Sequence, residues 1–272
     1  MLKFKIIYTV ILISIITGLT SCSDDNIINP VIAVDSSDFR FPFTNGSTWN
    51  YTVRNNASNI QPDSILHYFT EYPLVTNGTV TILYDTLINS VLTKCFLDEY
   101  IAFGIQYSNR FYYINNDTAL ILYASRSNGS GSGFLPLATP YKNLQVSDTN
   151  IPGEVQGNEL RIRDTLTSTL KYPMVSGTQW SESYDGIVTS KYYERFYNIS
   201  FQTEVFSAMK VNIERNIPFL PRLTAFYNRN GLITVSGTIE NIMLTTISSP
   251  DGAGTYDLWI ERTVTSFNIP QE

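Results

Sequence analysis

Residues 209–214 read MKVNIE, and this alternation of apolar and polar side chains decides the fold class. Met209, Val211 and Ile213 fall on one side of an extended chain, because successive side chains of a strand point to opposite faces. The same period of two recurs at residues 256–263 and 79–84, and few stretches show a helical period. The pattern predicts half-buried strands of antiparallel sheets.

Tight turns are predicted between these apolar runs. Asn-Gly and Asp-Gly dipeptides favour the left-handed backbone of two-residue hairpin turns, and the chain therefore reads as a succession of meanders. A Ser-Gly run at residues 127–133 and polar residues at 149–157 predict loops in the middle of the chain. The four turn dipeptides are Asn77-Gly78, Asp185-Gly186, Asn230-Gly231 and Asp251-Gly252.

A phrase near the start of the chain returns later in it. FPFTNGSTW at residues 41–49 and YPMVSGTQW at residues 172–180 share proline, glycine and tryptophan in the same register. Proline can begin a strand and glycine permits a turn, so each copy is expected to lead a strand into a core. Burial is the favoured role of Trp49 and Trp180, with ligand binding as the alternative.

These signals together predict an all-β protein in which antiparallel meanders form a strongly curved sheet or an open half-barrel. We expect one β-rich domain over residues 39–272. The repeated phrase suggests that it contains two related halves, at 39–150 and 165–272.

The N-terminus resembles the signal of a bacterial lipoprotein. Lys3 and Lys5 precede an apolar run at residues 6–19, which ends in the lipobox-like sequence LTSC. The run is too short to span a bilayer, which takes about 20 apolar residues. The resemblance implies that residues 1–21 are a cleaved signal peptide and that Cys22 carries a membrane-anchoring diacylglycerol and further acyl chains such as palmitate.

A polar stretch follows the cysteine. Ser23, Asp24 and Asp25 resemble the surface-export signal of lipoproteins from the Bacteroidetes. Residues 22–38 lack a sustained apolar pattern and are predicted to be a flexible tether. The implied location is the outer membrane, lipid-anchored and exposed on the cell surface.

Three phrases resemble a loose group of uncharacterised outer-membrane lipoproteins of the Bacteroidetes type. They are FPFTNGSTWNY at residues 41–51, the repeat at 172–180, and YNRNGLI at 227–233. The shared phrases of the group look like FPLxxGxxWxY near the start and YxxxGLV late in the chain. The resemblance implies an envelope protein and supplies neither a substrate nor a catalytic residue.

Charge narrows the range of partners. Loss of Lys3 and Lys5 with the signal leaves 16 basic and 24 acidic residues, a net charge of about −8. This balance disfavours nucleic acid and anionic lipid headgroups as partners. Cys95 is then the only thiol, and its apolar surroundings predict that it is buried and unpaired.

Residues with evident catalytic chemistry are scarce. His67 is the only histidine, and no G-x-S-x-G phrase accompanies it. We therefore expect no catalytic triad, no metal site and no cofactor. Catalysis by a pair of carboxylates stays possible, and the candidate pairs are Asp98 with Glu99 and Glu182 with Asp185. Adjacent strand residues face opposite ways, which argues against the first pair, and the second precedes a predicted turn.

Tyrosine-rich strands are the best binding candidates. Rings on the outer face of such strands could stack on sugars or pack against a partner protein, although cross-strand aromatic pairing explains the same pattern without a ligand. The predicted aromatic binding surface consists of Tyr107, Tyr112, Tyr113, Tyr192, Tyr193 and Tyr197.

Four short sequences resemble the Asp-(Ser/Thr)-aliphatic acceptor of O-glycosylation in Bacteroidetes. An attached glycan would be bulky and solubilising, so modified positions would be exposed. The candidate acceptors are Ser64, Thr86, Thr118 and Thr165.

The sequence favours a noncatalytic binding or assembly module, serving an outer-membrane protein complex or a glycan. One alternative is a carrier of lipid or lipoprotein that uses the hollow of a curved sheet. The other is a glycoside hydrolase that relies on two carboxylates.

Overall fold

A computed structural model describes most of the chain after residue 38. The predicted signal peptide, tether and lipidated Cys22 lie outside the described residues, as does most of the Ser-Gly run. The described ranges are 39–102, 105–127, 160–184, 187–216, 222–246 and 249–271.

Twelve antiparallel strands and one short 3-10 helix make up the described structure. The 3-10 helix, Asp63–Phe69, lies between the first two strands. The strands are β1 (Thr48–Gln61), β2 (Leu74–Ile88), β3 (Val91–Ala102), β4 (Ile105–Asn115), β5 (Ala119–Ser127), β6 (Arg161–Lys171), β7 (Gln179–Tyr184), β8 (Ile187–Phe201), β9 (Glu204–Arg215), β10 (Arg222–Asn228), β11 (Gly231–Thr246) and β12 (Ser249–Asn268).

All twelve strands belong to one sheet, in the order β6-β5-β4-β3-β2-β1-β12-β11-β10-β9-β8-β7. Strands β1 to β6 form one meander and β7 to β12 form a second. The first and last strands join them, with Trp49 opposite Phe267 and Val53 opposite Arg262. The sheet is strongly curved and not closed, which confirms the predicted fold class. The division of the domain into two related halves stays a prediction.

The curvature brings the two edges of the sheet together. Trp180 of β7 donates its indole N–H to the carbonyl of Ser168 in β6, at 3.0 Å. Tyr193 of β8 places its hydroxyl 2.7 Å from the amide nitrogen and 2.8 Å from the carbonyl oxygen of Lys171, at the end of β6. Side chains therefore bridge β6 and β7, and we call this junction the seam.

The concave side of the sheet, here the inner face, holds the main core. The predicted alternation of β9 is confirmed, because Met209, Val211 and Ile213 are buried. Large rings from both meanders belong to the core on this face. Within the first meander, Trp49 and Phe96 stack with ring centroids 6.5 Å apart. The largest fully buried core side chains include Trp49, Tyr51, Tyr113, Tyr193, Tyr227, Phe41, Phe96, Ile82, Leu120 and Leu122.

Two smaller clusters extend the packing. Ile65 and Phe69 of the 3-10 helix pack against Tyr256 and Leu258 of β12, and the Phe69 and Tyr256 ring centroids are 4.8 Å apart. This helix thus covers the ends of the longest strands. The other cluster contains Cys95, which is fully buried as predicted.

The two copies of the repeated phrase form the same local structure. Gly46 and Gly177 have φ angles of +86° and +87°. Gly46 donates its N–H to the carbonyl of Ile82 in β2 at 2.7 Å, and Gly177 donates to that of Tyr193 in β8 at 2.8 Å. Each copy leads into the first strand of a meander and buries its tryptophan, as the sequence predicts.

The predicted turns have mixed outcomes. Asn230-Gly231 lies at the β10–β11 hairpin, where Gly231 has φ +104°, and is confirmed. Asn77-Gly78 lies inside β2 and Asp251-Gly252 inside β12, so both of these turn predictions are wrong. Asp185-Gly186 lies outside the described residues.

One strand pattern also needs correction. The period of two over residues 79–84 predicts that Tyr84 shares a face with Val80 and Ile82, but the register shifts between Ile82 and Tyr84. This bulge leaves Tyr84 46 % exposed while Val80 and Ile82 are fully buried. An extra residue on one strand reverses the alternation beyond it.

Candidate functional site

Charged and polar side chains form a second layer on the inner face, beside the aromatic core. Strand alternation directs them inward, because each shares a face with apolar core residues of its strand. Hydrogen bonds and opposite charges must compensate their loss of hydration. The buried members include Asp98, Asn109, Arg163, Lys191 and Arg262.

Tyr51, Asp98 and Arg262 form one part of this layer. The Tyr51 hydroxyl donates to Oδ1 of Asp98 at 2.5 Å, and the guanidinium carbon of Arg262 lies 4.8 Å from the centre of the Tyr51 ring. Burial raises the pKa of Tyr51 well above its ordinary value. Burial, with the nearby charge of Asp98, also raises the pKa of Tyr100 to about 12. Both phenols therefore stay neutral at physiological pH.

Glu182 and Lys191 form the other part, at the seam. Lys191 Nζ lies 3.2 Å from Oε2 of Glu182 and donates to the carbonyl of Ser168 at 2.7 Å. Burial raises the pKa of Glu182 and lowers that of Lys191. Their mutual attraction opposes both shifts and favours the charged form of each partner. The pair ties β7 and β8 to the backbone of β6.

The candidate catalytic carboxylates have partners of other kinds. Asp98 points inward and is fully buried, whereas Glu99 is exposed, in line with the expected opposite faces. Asp98 accepts from a tyrosine and Glu182 from a lysine. Asp185 lies outside the described residues. Asp98 and Glu99 are thus not brought together as two facing acids, and the pairing of Glu182 with Asp185 stays a prediction.

An open groove of about 440 Å³ lies across β1, β2 and β3. Asn50, Thr79 and Glu99 line it and alternate along their strands with the buried Tyr51, Val80 and Asp98, so the groove opens on the outer face. Two bonds order its walls, from Thr79 Oγ1 to Asn50 Oδ1 at 2.8 Å and from Thr52 Oγ1 to Asn77 Oδ1 at 2.9 Å. We call this site the outer groove; its polar lining also includes Asn77, Gln106 and Thr265.

A second polar cluster lies on β8 and β9. Glu194 lies 2.7 Å from Lys210 Nζ, accepts from Asn212 at 2.9 Å, and also accepts from the Tyr197 hydroxyl. These three donors lower the pKa of Glu194 to about 2. Arg195 lies over the Tyr197 ring, with its guanidinium carbon 4.7 Å from the ring centre. The cluster holds the Tyr197 ring in place.

The predicted aromatic surface is divided by the fold. Tyr107 is half-buried and stacks on Tyr100 with ring centroids 5.0 Å apart and an interplanar angle of 12°. Three of the predicted rings are buried, namely Tyr112, Tyr113 and Tyr193, and two more are half-buried, namely Tyr192 and Tyr197. Cross-strand packing thus accounts for many of the rings.

The candidate glycosylation acceptors occupy different environments. Ser64 is exposed in the 3-10 helix and Thr118 is exposed in the β4–β5 turn, where its hydroxyl donates to Asn116 at 2.9 Å. Thr86 is half-buried in β2. Thr165 belongs to β6, and its side chain lies outside the described residues.

Sequence reasoning missed the inward-facing cations. Arg262 shares the period of Leu258, Ile260 and Val264, and Lys191 shares that of Tyr193. The alternation therefore already placed both cations on the core side. The partner of Arg262 could not be read from the sequence, because Tyr51 lies on a strand more than 200 residues away. Glu182, by contrast, lies on the adjacent hairpin strand, nine residues before Lys191.

Other chemistry is sparse in the described part of the chain. No cluster of three or more His, Cys, Asp or Glu side chains suited to a metal ion occurs among the described residues. His67 is exposed, and its Nδ1 lies 2.8 Å from the Ser64 carbonyl oxygen. Among the same residues, no helix has the length and apolar character needed to cross a bilayer.

Comparison with known proteins gives distant structural similarity. No family model matches the chain, and no curated protein matches it. A "putative lipoprotein" from Parabacteroides distasonis ATCC 8503 is 12 % identical, with a TM-score of 0.38, covering 85 % of this chain and 98 % of that one. A "putative exported protein with YmcC-like fold" from Bacteroides fragilis NCTC 9343 is 9 % identical, with a TM-score of 0.33, covering 85 % and 99 %.

One neighbour is named as a lipoprotein and the other as an exported protein. Those names describe the neighbours alone. The function of this chain has to be inferred from its own residues.

Proposed function

We propose that this protein is a lipid-anchored, noncatalytic binding module at the outer membrane, and that it binds a neutral glycan in the outer groove. Cys22 carries the anchor in this proposal, and residues 22–38 are the tether. The observation that carries the binding role is the polar, hydrogen-bonding lining of the groove on the outer face of the sheet.

The groove has the chemistry that sugar hydroxyls require. Asn77 and Gln106 offer amide donors and acceptors, and Thr79 and Thr265 offer hydroxyls. Glu99 adds one carboxylate, which accepts hydrogen bonds and repels acidic ligands. The negative charge of the mature chain acts in the same direction. A neutral glycan therefore suits the site better than an acidic one.

The filled inner face argues against the carrier alternative. Trp49, Tyr193 and Tyr227 come from different strands and are buried against a common core. A lipid in the hollow would have to displace these rings and the charged layer beside them. The work of opening a packed core disfavours that arrangement.

The partners of the described candidate acids do not favour the hydrolase alternative. Its two acids would have to face each other across a bond about 5–10 Å apart. Asp98 and Glu182 are instead bonded to Tyr51 and Lys191. A noncatalytic role fits these partners.

Binding of the full-length acylated protein to an array of neutral and acidic oligosaccharides tests the proposal. We expect neutral sugars to bind and Gln106→Ala to weaken them about tenfold, the effect of losing one or two hydrogen bonds. Asn198→Ala removes an exposed amide on β8 and is the matched control, which should bind normally. Equal binding by both variants, or binding of acidic sugars alone, would contradict the proposal.

A further inference from the structure

We propose that the tip of the β2–β3 hairpin, residues 86–93, inserts into the bilayer that holds the protein's own lipid anchor. This inference rests on the anchor of the proposed function and adds a second membrane contact. It gives a role to the most exposed apolar side chains of the described structure.

The hairpin extends beyond the neighbouring strands. The β1–β2 pairing runs only as far as Thr81, where Thr48 begins β1. The β3–β4 pairing begins at Lys94, opposite Tyr113. In the strand pairings that the structure describes, residues 86–93 therefore pair only with each other.

The tip presents two leucines on one face. Leu87 and Leu92 are directly opposite in the register, and their exposed fractions of 69 % and 63 % are the highest among the large hydrophobic side chains described. On the other face, Ile88 and Val91 pack into the cluster around Cys95. One side of the hairpin is thus fixed to the body while the other leaves both leucines in water.

Charge is absent from the sequence of the tip. Residues 86–93 read TLINSVLT, and the flanking Asp85 and Lys94 form an ion pair with Nζ and Oδ1 2.6 Å apart. The pair neutralises the two charges at the base of the tip. An uncharged tip with exposed aliphatic side chains can enter the headgroup region and bury apolar area there.

We infer that the tip contacts the bilayer because the first described residues, which follow the tether, lie at the same end of the sheet as the tip. Asn45 accepts a hydrogen bond from Lys94 at 3.0 Å, and the rings of Phe43 and Phe96 are 5.7 Å apart. Sixteen residues separate Cys22 from Phe39, the first described residue. A flexible tether of that length spans roughly 20–25 Å, which exceeds the roughly 13 Å by which the four residues of each arm of the tip extend.

This orientation leaves the outer groove accessible. Leu92 lies at the start of β3, whereas Tyr100 and Ile101 of the groove lie near its other end. Nine residues of strand correspond to roughly 30 Å. The tip would therefore face the membrane while the groove faces away from it.

Nitroxide labels on the full-length acylated protein in phosphatidylethanolamine vesicles test the insertion. Labels at Leu92→Cys and at Val75→Cys compare two exposed aliphatic strand positions at opposite ends of the hairpin, while Cys95 is buried and does not label. We expect vesicles to lower collisions of the Leu92 label with an aqueous nickel chelate at least about threefold, as burial in the interface requires. The Val75 label should not change. Adding Leu87→Ser should restore much of the accessibility at position 92.

Intact mass of the same sample separates the two proposals. An acylated protein whose Leu92 label stays as accessible as the Val75 label overturns the insertion and leaves the anchor standing. Protection of Leu92 from the chelate without a rise in oxygen collisions means that protein covers the tip, which also overturns it. An unacylated native chain removes the anchor, and the insertion fails with it.

Discussion

The ring of Tyr51 lies directly across Gly78 on the neighbouring strand. A β-carbon at position 78 would lie 2.8 Å from Cε2 of Tyr51 and closer still to Cζ and the hydroxyl. The missing side chain lets Tyr51 cross β2 and reach Asp98 on β3. This glycine is therefore required by packing within a strand, which explains why a turn was wrongly predicted there.

Gly78→Ala should destabilise the protein by about 1–3 kcal/mol, because the added methyl group overpacks the inner face. Urea unfolding followed by tryptophan fluorescence measures the change. In a Tyr51→Leu background, the same substitution should cost clearly less, since the clashing ring is gone. An equal cost in both backgrounds would show that Tyr51 is not the obstacle.

Gly177→Ala should cost about 1–2 kcal/mol through its left-handed backbone alone. Its φ is +87°, and no heavy atom lies within 4 Å of the added β-carbon. Gly177→Asn should recover part of the loss, because asparagine tolerates this conformation better. Thermal or urea unfolding of both variants makes the comparison. Gly46→Ala should give a similar loss if the two turns are equivalent.

Lys191→Met should destabilise the fold by about 3–5 kcal/mol, because Glu182 would then be a buried charge without its cation. The double variant Lys191→Met with Glu182→Leu should recover much of that loss. Equilibrium unfolding at neutral pH gives both values. Equal destabilisation of the single and double variants would mean that loss of the lysine's other contacts at the seam, rather than the orphaned charge, sets the cost.

Glu194 should stay ionised in acid. Its folded pKa of about 2 lies below its ordinary value of 4.5, so the unfolded chain takes up its proton first as the pH falls. Its contribution to stability is full above pH 4.5 and is lost as the pH falls towards 2. Comparing the unfolding free energies of wild type and Glu194→Gln between pH 6 and pH 3 tests this. A difference that does not shrink with falling pH would contradict the assignment.

Local signals in the sequence predicted much of the local structure, although two of the four turn dipeptides lie inside strands. The two Pro-Gly-Trp phrases, the alternation of Met209, Val211 and Ile213, and the Asn230-Gly231 turn all follow from backbone preference and strand period. These features depend on neighbouring residues, so one segment is enough to recognise them. The strongly curved all-β sheet could be predicted from their sum.

Long-range pairing could not be predicted. Nothing near Trp49 indicates that β1 pairs with β12, more than 200 residues away. The outer groove could not be predicted for the same reason. Thr265 of β12 lies beside Asn50 and Thr79 only because β1 pairs with β12. The bulge after Ile82 was not predicted for a related reason, because it depends on the register of the partner strand.

Intact-mass spectrometry of the native protein extracted from membranes tests the central claim of a lipid-anchored envelope module most directly. We expect a chain that begins at Cys22 and carries the added mass of a diacylglyceryl group with its acyl chains. A native chain that is soluble and has an unmodified Cys22, or one cleaved at another position, would contradict the account.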